Sequence, residues 1–227
     1  MARTARVVIP GILHHITQRG NRREDVFYDD EDKFFFMDRL LSYSARAGLL
    51  LASHCLMTNH THLLAVPEEK DSLERTFKPL HLVYSQYLNK RFNRTGINWQ
   101  GRYFSSPLDD EHSWYAFQYV ALNPVKADIV SNFQEYSWSS ARDLLSNRPQ
   151  SALTAGPKWL SMGHDALAQL LDHDTYQPNE VAFEHLEKMG ARNLPVGSDD
   201  FIARLEKETG RTLRPKPIGR PRKVESR

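Results

Sequence analysis

The sequence predicts an α+β fold: an antiparallel sheet of the split βαβ kind with helices on one face, a small C-terminal helical extension and a basic tail. Three observations predict it. Apolar, β-branched runs and helical-period runs follow one another in the order β, α, β, β, α, β, α; glycine, proline and capping residues punctuate them; and the composition shifts beyond Pro149. That order is close to the ferredoxin-like arrangement.

Residues 6–18, "RVVIPGILHHITQ", read as a first strand interrupted or bulged at Pro10-Gly11. The loop "RGNRRED" follows, with Arg19, Arg22 and Arg23 exposed. Asp29 and Asp30 suit a helix start, apolar Phe36 and Leu40 keep the helical period, and Gly48 ends it. "LLLASHCLM" and "HTHLLAV" are two strands joined by a polar turn at Thr58-Asn59. Leu73, Phe77, Leu80, Tyr84, Leu88 and Phe92 recur at three and four, with Pro79 marking a kink or a break into two pieces. A Gly-punctuated loop runs into a short strand at about 100–106. "EHSWYAFQYVALN" is helical, and Pro124 begins a further turn or helix. Residues 1–150 form this unit. Residues 151–210 read as the helical extension, where Ser198, Asp199 and Asp200 signal a helix start, and 211–227 as the tail.

With 227 residues, 40% of them hydrophobic, the chain can bury one sizeable core. No apolar run approaches the roughly 18 residues that span a bilayer, and "MARTARVVIPG" lacks the apolar stretch of a signal peptide, so a cytoplasmic location is expected. The single Cys55 sits in an apolar strand and reads as an inert core thiol. Net charge is +2 but uneven: residues 211–227 hold Arg211, Arg214, Lys216, Arg220, Arg222, Lys223 and Arg227 against Glu225 alone, a local +6 that leaves −4 elsewhere. Such a tail suits a polyanion.

The chemistry concentrates in "CLMTNHTHLLAV", residues 55–66. On a strand, His60 and His62 face the same way, roughly 7 Å apart along the chain, and can converge on one cation. Two ligands do not make a site; a third is needed. "QYVALNPVKA" supplies Tyr119 and Asn123 four residues apart on one helical face, and Asn123 can offer an amide oxygen. A phenol beside a His, His, Asn-bound divalent ion is what phosphodiester transesterification requires, a nucleophile beside a Lewis acid. The same residues also fit structural roles. Tyr119 suits a half-buried core, Asn123 suits an N-cap for a helix opened by Pro124, and Tyr115 lies on the same face as a rival nucleophile.

"MTNHTHLL" resembles the His-hydrophobic-His motif of the HUH endonucleases, and "ITQRGNRREDVFYDDED", "NWQGRYFSS", "YVALNPVKA" and "YSWSSA" resemble the REP-associated tyrosine transposases in the same order. The central motif residue is Thr61 where that family usually carries an aliphatic one; β-branched threonine suits a strand. The resemblance implies a single-tyrosine nuclease and strand transferase that cuts single-stranded DNA beside a hairpin. It implies a 5′-phosphotyrosine at Tyr119, metal ligands at His60, His62 and Asn123, and Mg²⁺ or Mn²⁺ as cofactor. A monomer or a homodimer is compatible with it.

For DNA, "GRPRK" at 219–223 resembles an AT-hook, an arm for the minor groove, and equally suits a solvated, unstructured tail. The candidate DNA contacts are Arg19, Arg22, Arg23, Arg211, Arg214, Lys216, Arg220, Arg222 and Lys223; Trp99, Tyr103 and Phe104 could stack on unpaired bases, although Trp99 and Phe104 suit the core better. A non-catalytic regulator at repeated hairpins, whose binding would survive chelation, is the alternative function. A metal-stabilised structural or RNA-binding domain, indifferent to DNA over RNA hairpins, is a third.

Overall fold

Asp29 starts the first helix by accepting a hydrogen bond from the Asp32 backbone N–H, and Gly48 ends it in the left-handed conformation (φ 64°) that glycine adopts without a Cβ clash. In a computed structural model that describes residues 6–142 and 178–215, the chain runs β1 (His14–Arg19), α1 (Asp30–Ala47), β2 (Leu49–Leu56), β3 (His60–Pro67), α2 (Ser72–Arg91), β4 (Phe104–Pro107) and α3 (Asp110–Lys126), then α4 (Glu180–Gly190) and α5 (Asp199–Thr209). The strands form one antiparallel sheet in the order β2-β3-β1-β4. The order of elements is the one expected from the sequence, and the class is α+β.

The helices, however, do not keep to one face. α1 and α2 pack on each other and cover Ile16, Leu51, Leu63 and Ala65. On the opposite face α3 and α4 cover Leu13, Ala52, Cys55 and Leu64. The reason lies in the strands: β2 and β3 are buried along nearly their whole length rather than at alternate positions. A strand that is apolar on both sides must be covered on both.

Both helix prolines are also passed over. α2 runs unbroken through Pro79, and α3 through Pro124 to Lys126. Each proline forfeits only the hydrogen bond to the carbonyl four residues back, and apolar packing on either side outweighs that loss: Leu73, Phe77, Leu80, Tyr84 and Leu88 are all buried in α2. "PVKADIV" therefore opens no separate helix. The first strand is shorter than expected, because Pro10 and the positive-φ Gly11 (75°) divide it, leaving Val7 and Ile9 to pack with Phe201, Leu205 and Leu213. The fourth strand begins at Phe104 rather than near residue 100.

The extension does not stand apart from the sheet. Phe183, Leu186 and Met189 of α4 enter the same core as α3. Cys55 is buried, which pushes its thiol well above the ordinary range. Among the described residues no helix is long and apolar enough to cross a membrane. Lys216, Arg220, Arg222 and Lys223 lie outside the described residues.

Tyr84 ties α2 to the loop after β1: its buried hydroxyl donates to the Val26 carbonyl at 2.5 Å. Tyr84→Phe leaves that carbonyl without its donor and should lower unfolding stability by about 1 to 3 kcal/mol, read from urea denaturation. An unchanged midpoint would mean that the carbonyl finds another donor.

Candidate functional site

The register between β1 and β3 assembles the site. Thr17 pairs with His62 and Arg19 with His60, so the side chains of His15, Thr17, Arg19, His60 and His62 share the face covered by α3 and α4. At the end of β1 the chain turns through Gly20, where a Cβ would collide with the Glu24 carbonyl. The turn bonds to the residue just before β3: Gly20 N–H donates to Asn59 O at 2.8 Å. Arg22 and Arg23 follow, exposed and in left-handed backbone (φ 54° and 64°).

Two contacts orient the imidazoles. His60 Nδ1 lies 2.6 Å from Asn59 Oδ1; an amide oxygen only accepts, so Nδ1 carries the proton and Nε2 keeps its lone pair. His62 Nδ1 lies 3.0 Å from Nε2 of His15. Among the described residues, no donor or acceptor reaches the buried Nε2 of His62. If His62 Nδ1 donates to His15, that orphaned Nε2 is also a lone pair. The rings of His60 and His62 stand 4.9 Å apart, edge to face.

Burial keeps these rings neutral. His15 and His60 are each lowered to about 4 by desolvation, which for His60 is reinforced by the Arg19 charge. His62 is held well below the ordinary histidine value by desolvation, and then by its neighbours His60, His15 and Arg19. Neutral imidazole is the ligating form.

α3 brings the phenol and the amide. Tyr119 meets His62 at 5.3 Å and His15 at 5.9 Å between ring centroids. Its hydroxyl donates to Glu187 Oε1 of α4 at 2.6 Å. Burial, then Glu187, pushes the phenol pKa above its usual value, while Asn123 and Arg19 act in the opposite sense. Asn123, one turn on, lies close enough to both to raise the His60 pKa and lower that of Tyr119. A cavity of about 340 Å³ opens over His60, His62, Tyr119, Glu187, Arg19 and Phe104.

The expected site residues His60, His62, Tyr119 and Asn123 thus come together. Tyr115 does not; its hydroxyl faces Glu111 at 3.3 Å on the same helix. Trp99 and Tyr103 are core residues packed with Phe77 and Tyr84 rather than stacking surfaces, and of that trio only Phe104 reaches the cavity. Of the tail cations in the described residues, Arg214 is paired with Asp199 (2.5 Å) and Glu206 (3.6 Å), and Arg211 donates to the Arg6 carbonyl at 3.1 Å. Arg214 thus pairs with α5 while staying exposed, and Arg211 reaches the segment ahead of β1. His15 and Glu187 had no sequence signal as site residues beyond the alternation that puts His15 on the face of Thr17 and Arg19. Glu187 lies 68 residues from Tyr119.

Among the described residues no group of three His, Cys, Asp or Glu is placed to hold a metal ion, so a divalent cation here would have to rely on the His60 and His62 Nε2 atoms as two of its donors. The third donor would be the Asn123 amide oxygen.

A family model described as "Transposase IS200 like" matches residues 9–123. A solved structure of a REP-associated tyrosine transposase bound to a REP hairpin is 15% identical, with a TM-score of 0.52; the match covers 69% of this chain and 93% of that one, and is a likeness of fold. A putative transposase from Deinococcus radiodurans R1 is 18% identical over 52% of this chain and 95% of its own, at a TM-score of 0.38. No curated protein matches at a significant level.

The buried imidazoles set a pH dependence. His14, His15 and His60 are lowered to about 4 and His81 to about 3, chiefly by desolvation, against an ordinary 6.5. Unfolding therefore takes up protons below about pH 6.5: stability is full above that pH and falls as pH drops toward 4. Urea midpoints should decline steadily from pH 7 to pH 4. A midpoint independent of pH would contradict the buried, neutral state.

Proposed function

The chain belongs to the IS200-like transposase family, and from that membership we propose that it is a metal-dependent single-stranded DNA endonuclease and strand transferase acting at hairpin repeats through a 5′-phosphotyrosine on Tyr119. Family membership makes it a DNA transposase in kind. The observation that carries the finer reading is the meeting of the Tyr119 ring with the rings of His62 and His15 in a cavity that His60 and Glu187 also line.

In this reading the phenol oxygen attacks the scissile phosphorus. The Oη–P bond forms, the P–O3′ bond breaks, the phenol loses its proton and the departing 3′-oxygen takes one up. Glu187, which accepts the phenol hydrogen bond, aims the attacking oxygen and is the acceptor nearest the proton that must leave. Arg19 places a positive charge beside the reacting phosphate. His15 orients His62. A Mg²⁺ or Mn²⁺ ion held by His60, His62 and Asn123 would polarise the phosphate and offset the charge that develops on it. Because the covalent link conserves the phosphodiester, a 3′-hydroxyl can reverse the step and join strands without ATP. With one nucleophilic tyrosine in the site, two cuts must be sequential or shared between two subunits.

The partner is then a single strand with a hairpin stem. Arg22 and Arg23, exposed in the turn after β1, would meet the backbone, and Lys216, Arg220, Arg222 and Lys223 of the tail would hold the stem.

Incubating the protein with single-stranded hairpin repeats should yield a protein–DNA adduct on a denaturing gel in Mn²⁺ or Mg²⁺, lost with EDTA and lost in Tyr119→Phe. An adduct that survives the substitution moves the nucleophile to Tyr115. Tight binding with no adduct under either ion leaves the regulator.

A further inference from the structure

Two polar joints tie α3 to α4. Tyr119 on α3 donates its hydroxyl to Glu187 on α4 at 2.6 Å, and Lys126 on α3 donates to Glu180 on α4 at 2.8 Å. Tyr119 and Lys126 lie seven residues apart, as do Glu180 and Glu187, and the pairing runs crosswise. Seven residues are close to two helical turns, so each helix offers both of its partners on one face and the two pass antiparallel.

Phe183 fills the space between the joints. Its ring meets the Tyr119 ring edge-on at 5.3 Å between centroids, and the Lys126 amine lies over the same Phe183 ring, 4.9 Å from its centre. Glu180, Phe183 and Glu187 therefore form one stripe of α4, set against Tyr119 and Lys126.

Helix electrostatics explain one joint and not the other. Lys126 sits in the last turn of α3 and Glu180 in the first turn of α4, where each charge suits its own helix dipole. Glu187 sits in the last turn of α4, where an acid opposes the dipole. Its place is explained by the phenol it meets rather than by the stability of its helix. A roll of α4 about its own axis would carry Glu187 off that hydroxyl, and Glu180, on the same face, resists the roll through Lys126.

We propose that Lys126 and Glu180 are positioning residues for the reaction of Tyr119: their ion pair fixes the roll of α4 and so keeps Glu187 on the attacking oxygen. The inference rests on the DNA-cleaving reading for the step that it serves. Neither residue lines the cavity over Tyr119, so the pair acts through Glu187 and not by touching the strand.

The test compares single-turnover adduct formation on a hairpin repeat in Mn²⁺ with binding of the same DNA in EDTA. Lys126→Met keeps an apolar stem over Phe183 and removes the charge. It should slow adduct formation about two- to fivefold, the range open to an ion pair as exposed as this one, and leave binding unchanged. Glu180→Gln should do the same, the double variant should be no slower than either single one, and Lys126→Arg should keep most of the rate. In a Glu187→Ala background, Lys126→Met should add no further loss, because the two act as one unit. A readout without DNA is the ¹³C resonance of the Tyr119 Cζ in tyrosine-labelled protein, assigned by its disappearance in Tyr119→Phe. Lys126→Met and Glu180→Gln should both shift it toward its position in Glu187→Ala. An unmoved resonance, weaker DNA binding in Lys126→Met, or a full Lys126→Met effect that persists in Glu187→Ala would overturn the proposal. If the resonance shifts as described while no hairpin yields an adduct, the hold on Tyr119 stands and the cleavage reading falls.

Discussion

The pairing of β1 with β3 is the constraint on which everything else in this molecule depends. Side chains on a strand alternate faces, so a slip of one residue would send His15, Thr17 and Arg19 to the α1–α2 side and leave His60 and His62 facing different neighbours. The register is pinned by apolar residues rather than by the site. Ile16 lies opposite Leu63 and both are fully buried beneath α1 and α2. The hydrophobic half of the sheet thus determines where the polar half presents its imidazoles, and the site inherits its rigidity from a core it does not touch.

The second face is where stability gives way to chemistry. Desolvation would ordinarily make three neighbouring histidines a liability, yet here it removes their charge, and the contact to Asn59 leaves the His60 Nε2 as a lone pair. The cost is an unsatisfied nitrogen on His62, the sort of buried vacancy in hydrogen bonding that a folded chain tolerates where function compensates. α3 closes this face with Phe117 and Val120 in the core, and the same helix carries Tyr119 and Asn123. Because α4 packs on α3 and supplies Glu187 to the phenol, the C-terminal extension is part of the site rather than an appendage.

Much of this was legible in the sequence, and for identifiable reasons. The Asp29 and Gly48 caps of α1 and the parity of His60 and His62 are local, so a single stretch of chain reveals them. The i, i+4 spacing of Tyr119 and Asn123 was equally visible, although Pro124 left open whether the helix reached Asn123. Packing decided that, since Asn123 and Pro124 are buried with the rest of α3. What escaped was the set of facts that depend on two distant segments. His15 joins the site only through the register with Leu64 and its contact to His62. Glu187 arrives from a helix whose periodicity says nothing about a tyrosine. The cover on both faces follows from continuous burial in β2 and β3, which a one-sided reading of the apolar runs does not reveal.

The central claim is that the β1–β3 register and α3 together present His60 and His62 to one divalent ion. Pulsed electron paramagnetic resonance of Mn²⁺ bound to the full chain tests it most directly, because nitrogen couplings count the imidazoles at the metal without reference to activity. The account predicts two histidine nitrogens on a single tightly held Mn²⁺, reduced to one in His62→Ala. A spectrum with no histidine coupling, or one that His62→Ala leaves unchanged, would contradict it.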